Sequence, residues 1–400
     1  MSKIYKAEPI KGDFTGKSFI SASQLDIKSI QILFDQADKM RLIRTSPKKG
    51  IDLLPFHQVD INFKEPSTRT YKSFMSAVQR LGAGTLPETN PHFSSVSKGE
   101  SFSDDIIANA QYADLMVIRH PRTGALSEAA QISPVPVINA GDGAGEHPTQ
   151  ALLDLYTIYS KLGGVKGKTV TMIGDLKHGR TVKSLAELAA IDTAGDITLN
   201  FVAPDELQMP KTNINKLQKL GAKVKLFNDL KEPFSQTDVA YVVRLQRERI
   251  STPLGADIGD VILSKIDKIV AFGTDHQRQN IDIYYRIAIE EMIARLNTLK
   301  KGSFEHRKLS ADLVAQLYSL PTVEQILTNT SPTDNPYVID SQVMSWAKPN
   351  MILMHPLPRV GEISAEVDSD PRSVYLSDQM QNGLYIRMAL IALILGKSVS

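Results

Sequence analysis

The feature that most constrains the fold is an alternation of short, apolar, β-rich runs with amphipathic helical stretches along almost the whole chain. Such alternation is typical of α/β domains, in which helices cover the faces of a parallel sheet. With 400 residues the chain is long enough for two ordinary domains. We therefore expect an α/β fold of two domains, each with a mostly parallel sheet flanked by helices.

The predicted elements divide at a helix expected over residues 148–162, which follows a glycine-rich loop. Strands are predicted at 59–63, 115–119, 135–139, 169–173, 197–202, 223–227, 239–243 and 351–354. Further helices are predicted at 23–44, 67–81, 103–112 and 380–395. We assign residues 1–150 to a first domain, 151–379 to a second, and 380–400 to a C-terminal helix that packs back on the first.

Two segments depart from simple alternation. From about residue 251 to 336 the pattern changes to a helical pair, which indicates an insertion within the second domain. In the last helix the apolar side chains form one stripe that needs a partner surface. The members of this stripe are Met380, Leu384, Met388, Ile391 and Leu395.

Composition excludes several classes of protein. A formal net charge of +2 provides no basic field for nucleic acid. The absence of cysteine excludes disulfides, thiolate catalysis and Cys-ligated zinc, and it suits a reducing compartment. No signal-peptide core is visible near the start, and the apolar run at 388–395 is far shorter than the ~20 residues that span a bilayer. We expect a cytoplasmic globular protein without membrane or nucleic-acid partners.

A polar string follows the predicted strand 59–63 and opens the next helix. Its hydroxyl residues Ser67, Thr68 and Thr70 flank the guanidinium of Arg69. A helix N-terminus attracts anions through its unpaired N–H groups and positive dipole end, and guanidinium groups bind phosphate oxygens. The string therefore predicts a phosphate site. The alternative is a capped helix that carries a surface arginine.

Other polar groups lie in predicted loops, at a strand end or at a helix start. Ser94 and Lys98 belong to a Ser/Lys-rich loop, and Arg119 ends a strand, where α/β sheets place their sites. His147 and Gln150 lie one turn apart at a helix start. The imidazole can donate to a polarised carbonyl while the amide holds an amide-like group. His147 lacks a metal-ligand partner at helical spacing, so no metal site is predicted. Each cluster alone also fits a cap or an ordinary loop.

Two arginines in the second half are candidates for carboxylate recognition. Arg180 ends a glycine-containing loop that lacks the G-x-G-x-x-G fingerprint, so NAD is not predicted. Arg244 begins a charged run, which would also fit a solvated helix start. The chain shows no nucleophile–base pair and no cofactor signature. These groups favour direct transfer from a phosphorylated donor to a dianionic acceptor, catalysed by positioning and electrostatics.

From about residue 14 to 396, apart from the insertion, the chain resembles the aspartate carbamoyltransferases. Seven strings occur in that family's order: F-x-E-x-S-T-R-T, S-x-x-x-K-G-E, R-H-P, H-P-T-Q-A-L-L-D, G-D-L-K-x-G-R-T, R-x-Q-x-E-R and H-P-L-P-R. The resemblance implies the aspartate/ornithine carbamoyltransferase fold, a homotrimer and no cofactor. It also implies transfer of the carbamoyl group of carbamoyl phosphate to L-aspartate, in pyrimidine (UMP) biosynthesis. Association with a regulatory chain or with dihydroorotase is not indicated by the sequence.

The resemblance implies roles for the first-half motif residues. The phosphate would be held by Ser67, Thr68, Arg69 and Thr70. The carbamoyl oxygen would face Arg119, His147 and Thr70, while Gln150 positions the carbamoyl NH₂ group. Ser94 and Lys98 would come from a neighbouring subunit, so that each complete site needs two chains.

The resemblance assigns the second-half motifs to the acceptor. Arg180 and Arg244, helped by Gln246, would hold the two aspartate carboxylates. The backbone around Leu357 and Pro358 would accept a hydrogen bond from the amino group. Glu65 would bridge the domains to Arg180 and Arg249 when the site closes.

Two alternatives stay open at this point. Ornithine carbamoyltransferases carry His-Cys-Leu-Pro, whereas Pro356 replaces that cysteine here. A non-catalytic homologue would be expected to have lost site residues, but every motif residue is present.

The role of the insertion also stays open. It is either a surface segment without a function of its own or an addition that affects subunit contacts or closure of the Arg244–Arg249 loop.

Overall fold

The computed structural model describes residues 7–88, 99–143, 145–244 and 337–399, with isolated residues at 294, 295, 298 and 305. The chain divides into two compact units, Met1–Arg244 with Ile339–Ser400, and Leu245–Val338. Both sheets belong to the first unit. The helical pair predicted at 251–336 lies almost wholly outside the described residues, and the domain boundaries drawn from the sequence stay predictions.

The first sheet has four parallel strands in the order β2-β1-β3-β4. Its strands are β1 (Gln58–Phe63), β2 (Gly84–Glu88), β3 (Leu115–His120) and β4 (Val137–Asp142). The helices of this half are α1 (Ile27–Thr45), α2 (Thr68–Arg80), α3 (Phe102–Ala110) and α4 (Ala125–Ile132). The predicted β1, β3 and α2 are confirmed to within a residue at each end.

Two predictions in this half differ from the structure, and two elements were not predicted. The helix expected from residue 23 begins at Ile27, because the Asp26 side chain caps it by accepting from the Ser29 N–H. The strand expected at 135–139 is shifted two to three residues to β4. Helix α4 and strand β2 were not predicted. β2 contains both Gly84 and Pro87, residue types that are depleted in strands.

The second sheet has five parallel strands in the order β7-β6-β5-β8-β9. Its strands are β5 (Thr169–Ile173), β6 (Thr198–Val202), β7 (Lys223–Phe227), β8 (Val239–Val242) and β9 (Ile352–Met354). The remaining helices are α5 (Pro148–Leu162), α6 (Arg180–Asp192), α7 (Lys211–Lys219), α8 (Lys231–Gln236), α9 (Ser341–Trp346) and α10 (Asp378–Ile394). The predicted α/β class with two parallel sheets is confirmed.

Helix α10 is buried on nearly all sides, not along one stripe. It packs against α1, α2 and α5. Met380, which the predicted stripe would bury, is 45% exposed, whereas Arg387 is buried. Because three helices surround α10, most of its circumference is removed from water, and a one-sided pattern does not describe it.

One face of β1 carries a buried charge cluster. Lys64, directly after the strand, places Nζ 2.5 Å from Glu88 Oε1 and 3.3 Å from Asp105 Oδ2. Asp60 is 4% exposed, and its Oδ2 has no hydrogen-bond partner among the described residues. Burial, together with the negative charges of Glu88 and Asp105, raises the pKa of Asp60 to about 7.

This pKa predicts how stability depends on pH. The folded protein keeps the Asp60 proton up to about pH 7, whereas the unfolded chain releases it near 3.8. The contribution of this group to the free energy of unfolding is therefore lost as pH rises through 7. The Asn side chain of Asp60→Asn cannot ionise. The free energy of unfolding of this variant, relative to that of wild type, should therefore increase by about 2 kcal/mol from pH 5 to pH 8. Urea unfolding at both pH values measures this, and identical pH dependences would contradict it.

Candidate active site

The predicted phosphate string forms the start of α2. Ser67 is the N-cap residue with an extended backbone, but its side chain makes no capping hydrogen bond. In the first turn Thr68 and Arg69 are exposed and Thr70 is buried. Because no side-chain cap from Ser67 occupies the first-turn N–H groups, they can bind an anion together with Arg69. This geometry favours the anion site over the capped-helix alternative.

Arg119 is the penultimate residue of β3, and its guanidinium reaches the neighbouring strand β4. Its Nη1 donates to the carbonyl oxygen of Ala140 at 3.4 Å, and its Nε lies 3.2 Å from Glu65 Oε2. Gly141 makes room for this side chain: its φ is +139°, and a Cβ built there would lie 3.0 Å from Arg119 Nη1. Arg119 is 8% exposed, so its charge acts in a partly desolvated site.

Arg180 opens α6, directly after the glycine-containing loop. Its Nη1 donates to the carbonyl oxygen of Gly143, in the loop after β4. This contact links the second sheet's first helix to a loop of the first sheet. Glu65, expected to bridge to Arg180 and Arg249 on closure, contacts Arg119 in this structure. Arg249 lies outside the described residues.

His147 is the N-cap residue of α5 and is 5% exposed. Burial lowers the pKa of its imidazole well below the usual value, and the positive charges of Arg180, Arg119 and Arg387 lower it further. The ring is therefore neutral at pH 7. Its Nδ1 lies 3.4 Å from the Thr149 hydroxyl. The tautomer in which Thr149 donates to Nδ1 keeps the proton on Nε2, where it can be donated to a carbonyl oxygen.

Gln150, one turn into α5, is held by a buried carboxylate. Its Nε2 donates to Asp154 Oδ1 at 3.0 Å. Asp154 also accepts from the Tyr241 hydroxyl and from Gln379 Nε2, each at 2.7 Å. Burial raises the pKa of Asp154 to about 7, although these hydrogen bonds oppose the shift. The sequence motif contained Asp154 but gave it no role.

The predicted acceptor residues lie after strands of the second sheet. Arg244 follows β8 by two residues, and Leu357 and Pro358 follow β9. Leu357 has φ +55°, and its N–H donates to His355 Nδ1 at 2.8 Å. His355 Nε2 in turn lies 2.6 Å from Glu362 Oε1. The carboxyl ends of parallel strands lie at one edge of a sheet, so Arg180, Arg244 and the Leu357 segment share that edge.

Arg387 was not predicted as part of the site. This α10 residue donates from Nη1 to the Ser73 hydroxyl at 2.9 Å, and its guanidinium lies 5.0 Å from the Phe74 ring centroid. Burial lowers its pKa to about 10, so it is charged at pH 7. The available sequence signal was an arginine within the apolar second half of the helix.

Four predicted site residues cannot be placed. Ser94, Lys98, Gln246 and Arg249 lie outside the described residues, so their roles stay predictions. Within the described ranges, no group of three or more His, Cys, Asp or Glu side chains could hold a metal ion. No helix in that part of the chain is long and apolar enough to cross a membrane.

Two family models match this chain. The carbamoyl-P binding domain of aspartate/ornithine carbamoyltransferase matches residues 17–160, and the Asp/Orn binding domain matches 166–256 and 314–394. The catalytic subunit of aspartate carbamoyltransferase from Thermoplasma acidophilum is 34% identical over 381 residues, covering 95% of this chain and 98% of that protein. The chain belongs to the aspartate/ornithine carbamoyltransferase family. The resemblance inferred from the seven strings is confirmed.

Other members of the aspartate/ornithine carbamoyltransferase family differ in length and organisation. The multifunctional protein pyr1-3 of Dictyostelium discoideum is 37% identical over 384 residues. Those residues are 96% of this chain but 14% of that protein's length. Aspartate transcarbamoylase from Trypanosoma cruzi, solved with carbamoyl aspartate and phosphate, has a TM-score of 0.71 and 33% identity. That match covers 96% of this chain and 97% of the other.

The lowered pKa of His147 predicts an imidazole that stays neutral across the physiological range. Its ring C–H resonances, assigned by their loss in His147→Asn, should not titrate between pH 6 and pH 8 because burial and three nearby arginines disfavour the charged form. Proton NMR of the wild-type chain measures this. A titration midpoint at or above the ordinary value of 6.5 would contradict the electrostatic description of the site.

Proposed function

We propose that this chain transfers the carbamoyl group of carbamoyl phosphate to the amino group of L-aspartate, giving N-carbamoyl-L-aspartate and phosphate in de novo pyrimidine biosynthesis. The observation that carries the proposal is a neutral, buried His147 beside Arg119 and Arg180. The Trypanosoma cruzi relative, solved with carbamoyl aspartate and phosphate, supports the same chemistry.

The donor phosphate binds at the start of α2. Arg69 supplies a permanent positive charge, and the first-turn N–H groups and the Ser67, Thr68 and Thr70 hydroxyls supply donors. The same groups stabilise the negative charge of the departing phosphate. No nucleophilic side chain is required, because the reaction joins two bound substrates directly.

The carbamoyl carbon is activated through its oxygen. When the acceptor amine attacks, negative charge develops on that oxygen. Arg119, the Nε2–H of His147 and the Thr70 hydroxyl can donate to it. These bonds strengthen as charge develops, so they stabilise the transition state more than the ground state. A neutral imidazole suits this role because it donates without adding another cation to the cluster.

The acceptor site takes two carboxylates and an uncharged amine. Arg180 and Arg244 each offer five N–H donors in a planar fork that matches a carboxylate. The C–N bond forms as the bond from carbon to the bridging phosphate oxygen breaks. The amine proton passes to the departing phosphate, which becomes hydrogen phosphate.

An acceptor assay tests this proposal. Wild-type chain with carbamoyl phosphate should release phosphate when L-aspartate is added and not when L-ornithine is added. Arg69→Ala should lose at least about 100-fold in kcat/KM, since a charge-assisted phosphate contact is removed. Arg122→Ala is the matched control, because this exposed arginine pairs with Glu128 at 2.8 Å. Ornithine-dependent release would indicate the ornithine-type enzyme, and no release with either acceptor would indicate a non-catalytic homologue.

We further propose that the chain acts as a homotrimer in which Ser94 and Lys98 complete a neighbour's site. In a closed ring with head-to-tail interfaces, each chain can give the same residues to one neighbour and receive them from the other. A cytoplasmic location is proposed on the cysteine-free composition, which suits a reducing compartment. Cell fractionation tests the location.

Mixing two inactive variants tests the shared site. Arg69→Ala and Lys98→Ala should each be inactive alone. After the two are unfolded together and refolded in equal amounts, three-quarters of randomly assembled trimers are mixed, and each has one intact site in three. Activity should therefore recover to about 25% of wild type. Activity that stays at the level of the separate variants would contradict the shared site.

A further inference from the structure

Three hydrogen-bond donors from separate elements converge on the Asp154 carboxylate. Gln150 Nε2 and Gln379 Nε2 both reach Oδ1, at 3.0 Å and 2.7 Å, and the Tyr241 hydroxyl reaches Oδ2 at 2.7 Å. These residues belong to α5, α10 and β8. Asp154 has no exposed surface, so removal of its oxygens would leave buried donors unpaired.

The bond to Asp154 fixes which end of the Gln150 amide faces the substrates. Gln379 Oε1 accepts from the His355 backbone N–H at 3.0 Å, so the NH₂ end of Gln379 faces Asp154 and Oδ1 acts as an acceptor. Oδ1 therefore also takes the NH₂ end of Gln150, at 3.0 Å. The opposite end, Oε1, then turns away from Asp154 and stays an acceptor. A carbamoyl group presents an NH₂ with two donors, which an amide oxygen can bind and an amide NH₂ cannot.

The same carboxylate also reaches the acceptor side of the site. Gln379 donates to Asp154 and accepts from the His355 N–H at 3.0 Å. His355 Nδ1 accepts from the Leu357 N–H at 2.8 Å. A connected series of hydrogen-bonded residues therefore runs from Gln150 through Asp154, Gln379 and His355 to Leu357.

We propose that Asp154 is a positioning residue that sets the orientation of the Gln150 amide. Because of this orientation, Gln150 Oε1 selects carbamoyl donors, which carry an NH₂ group. Asp154 also connects the Gln150 amide to the Leu357 segment. The inference rests on the proposed function. Asp154 itself does not touch the substrates. It acts through Gln150 on the donor and through Gln379 and His355 on the acceptor side.

If the role of Asp154 were purely structural, its hydrogen bonds would serve only to link α5 to α10. Another buried hydrogen bond between the same two helices provides a matched control. One turn after Asp154, the Thr157 hydroxyl accepts from Asn382 Nδ2 at 3.0 Å. This bond joins the same two helices and is also buried, but it has no connection to Gln150. Thr157→Val therefore removes an interhelical bond without changing the Gln150 amide.

The experiment compares two donors that differ only at the selected group. Titration calorimetry measures the affinity of carbamoyl phosphate and of acetyl phosphate, in which a methyl group replaces the NH₂. Wild type should prefer carbamoyl phosphate. In Asp154→Leu this preference should fall about tenfold, the value of one hydrogen bond, with inorganic phosphate affinity unchanged. Asp154→Ser, which leaves room for a water molecule, is the second variant should the leucine variant not fold.

Two further variants complete the test. Thr157→Val should keep the wild-type preference within about twofold. In a Gln150→Ala background, where the preference is already reduced, Asp154→Leu should reduce it no further. An unchanged preference in the Asp154 variants, or an equal loss in Thr157→Val, would overturn the inference. Wild type that neither binds carbamoyl phosphate nor carbamoylates aspartate would instead refute the proposed function.

Discussion

The concentration of positive charge around His147 is the constraint on which the rest of the site depends. Arg119, Arg180 and Arg387 all lower the pKa of this ring, and two of these arginines are buried. Buried like charges are costly unless anions compensate them. Glu65 compensates part of this charge through its contact with Arg119. The Asp154 carboxyl interacts electrostatically with Arg387. The proposed dianionic donor and dicarboxylate acceptor would add further negative charge, so the architecture fits anionic substrates with a neutral hydrogen-bond donor between them.

Helix α5 carries the residues that would act on the proposed donor. Its first turn holds His147 and Gln150, and its second holds Asp154, which bonds to residues of α10 and β8. The helix packs against α6 and α10. It is therefore fixed by contacts along its length while its first turn presents donors and acceptors to the site. Rigid elements position reacting groups more accurately than loops do.

Local chemistry explains which parts of the structure could be predicted from the sequence. The predicted helix 148–162 matches α5 to the residue. Pro148 suits the first helical position, and in the structure Gly163 ends the helix with φ +71°. The start of α2 was likewise marked by its hydroxyl residues. By contrast, the Asp154–Tyr241 and Asp154–Gln379 bonds join residues 87 and 225 positions apart. The periodicity of a sequence carries no information about such long-range pairings. For the same reason we did not predict the Glu65–Arg119 contact or the burial of α10 on nearly all sides.

The most direct test of the central claim is calorimetric titration of carbamoyl phosphate into the wild-type chain without any acceptor. If the arginine cluster and the start of α2 form a receptor before aspartate arrives, binding should saturate at one molecule per chain. The heat of binding should show no proton uptake by His147, since the ring stays neutral. Absence of saturable binding, or binding accompanied by protonation of His147, would contradict the account.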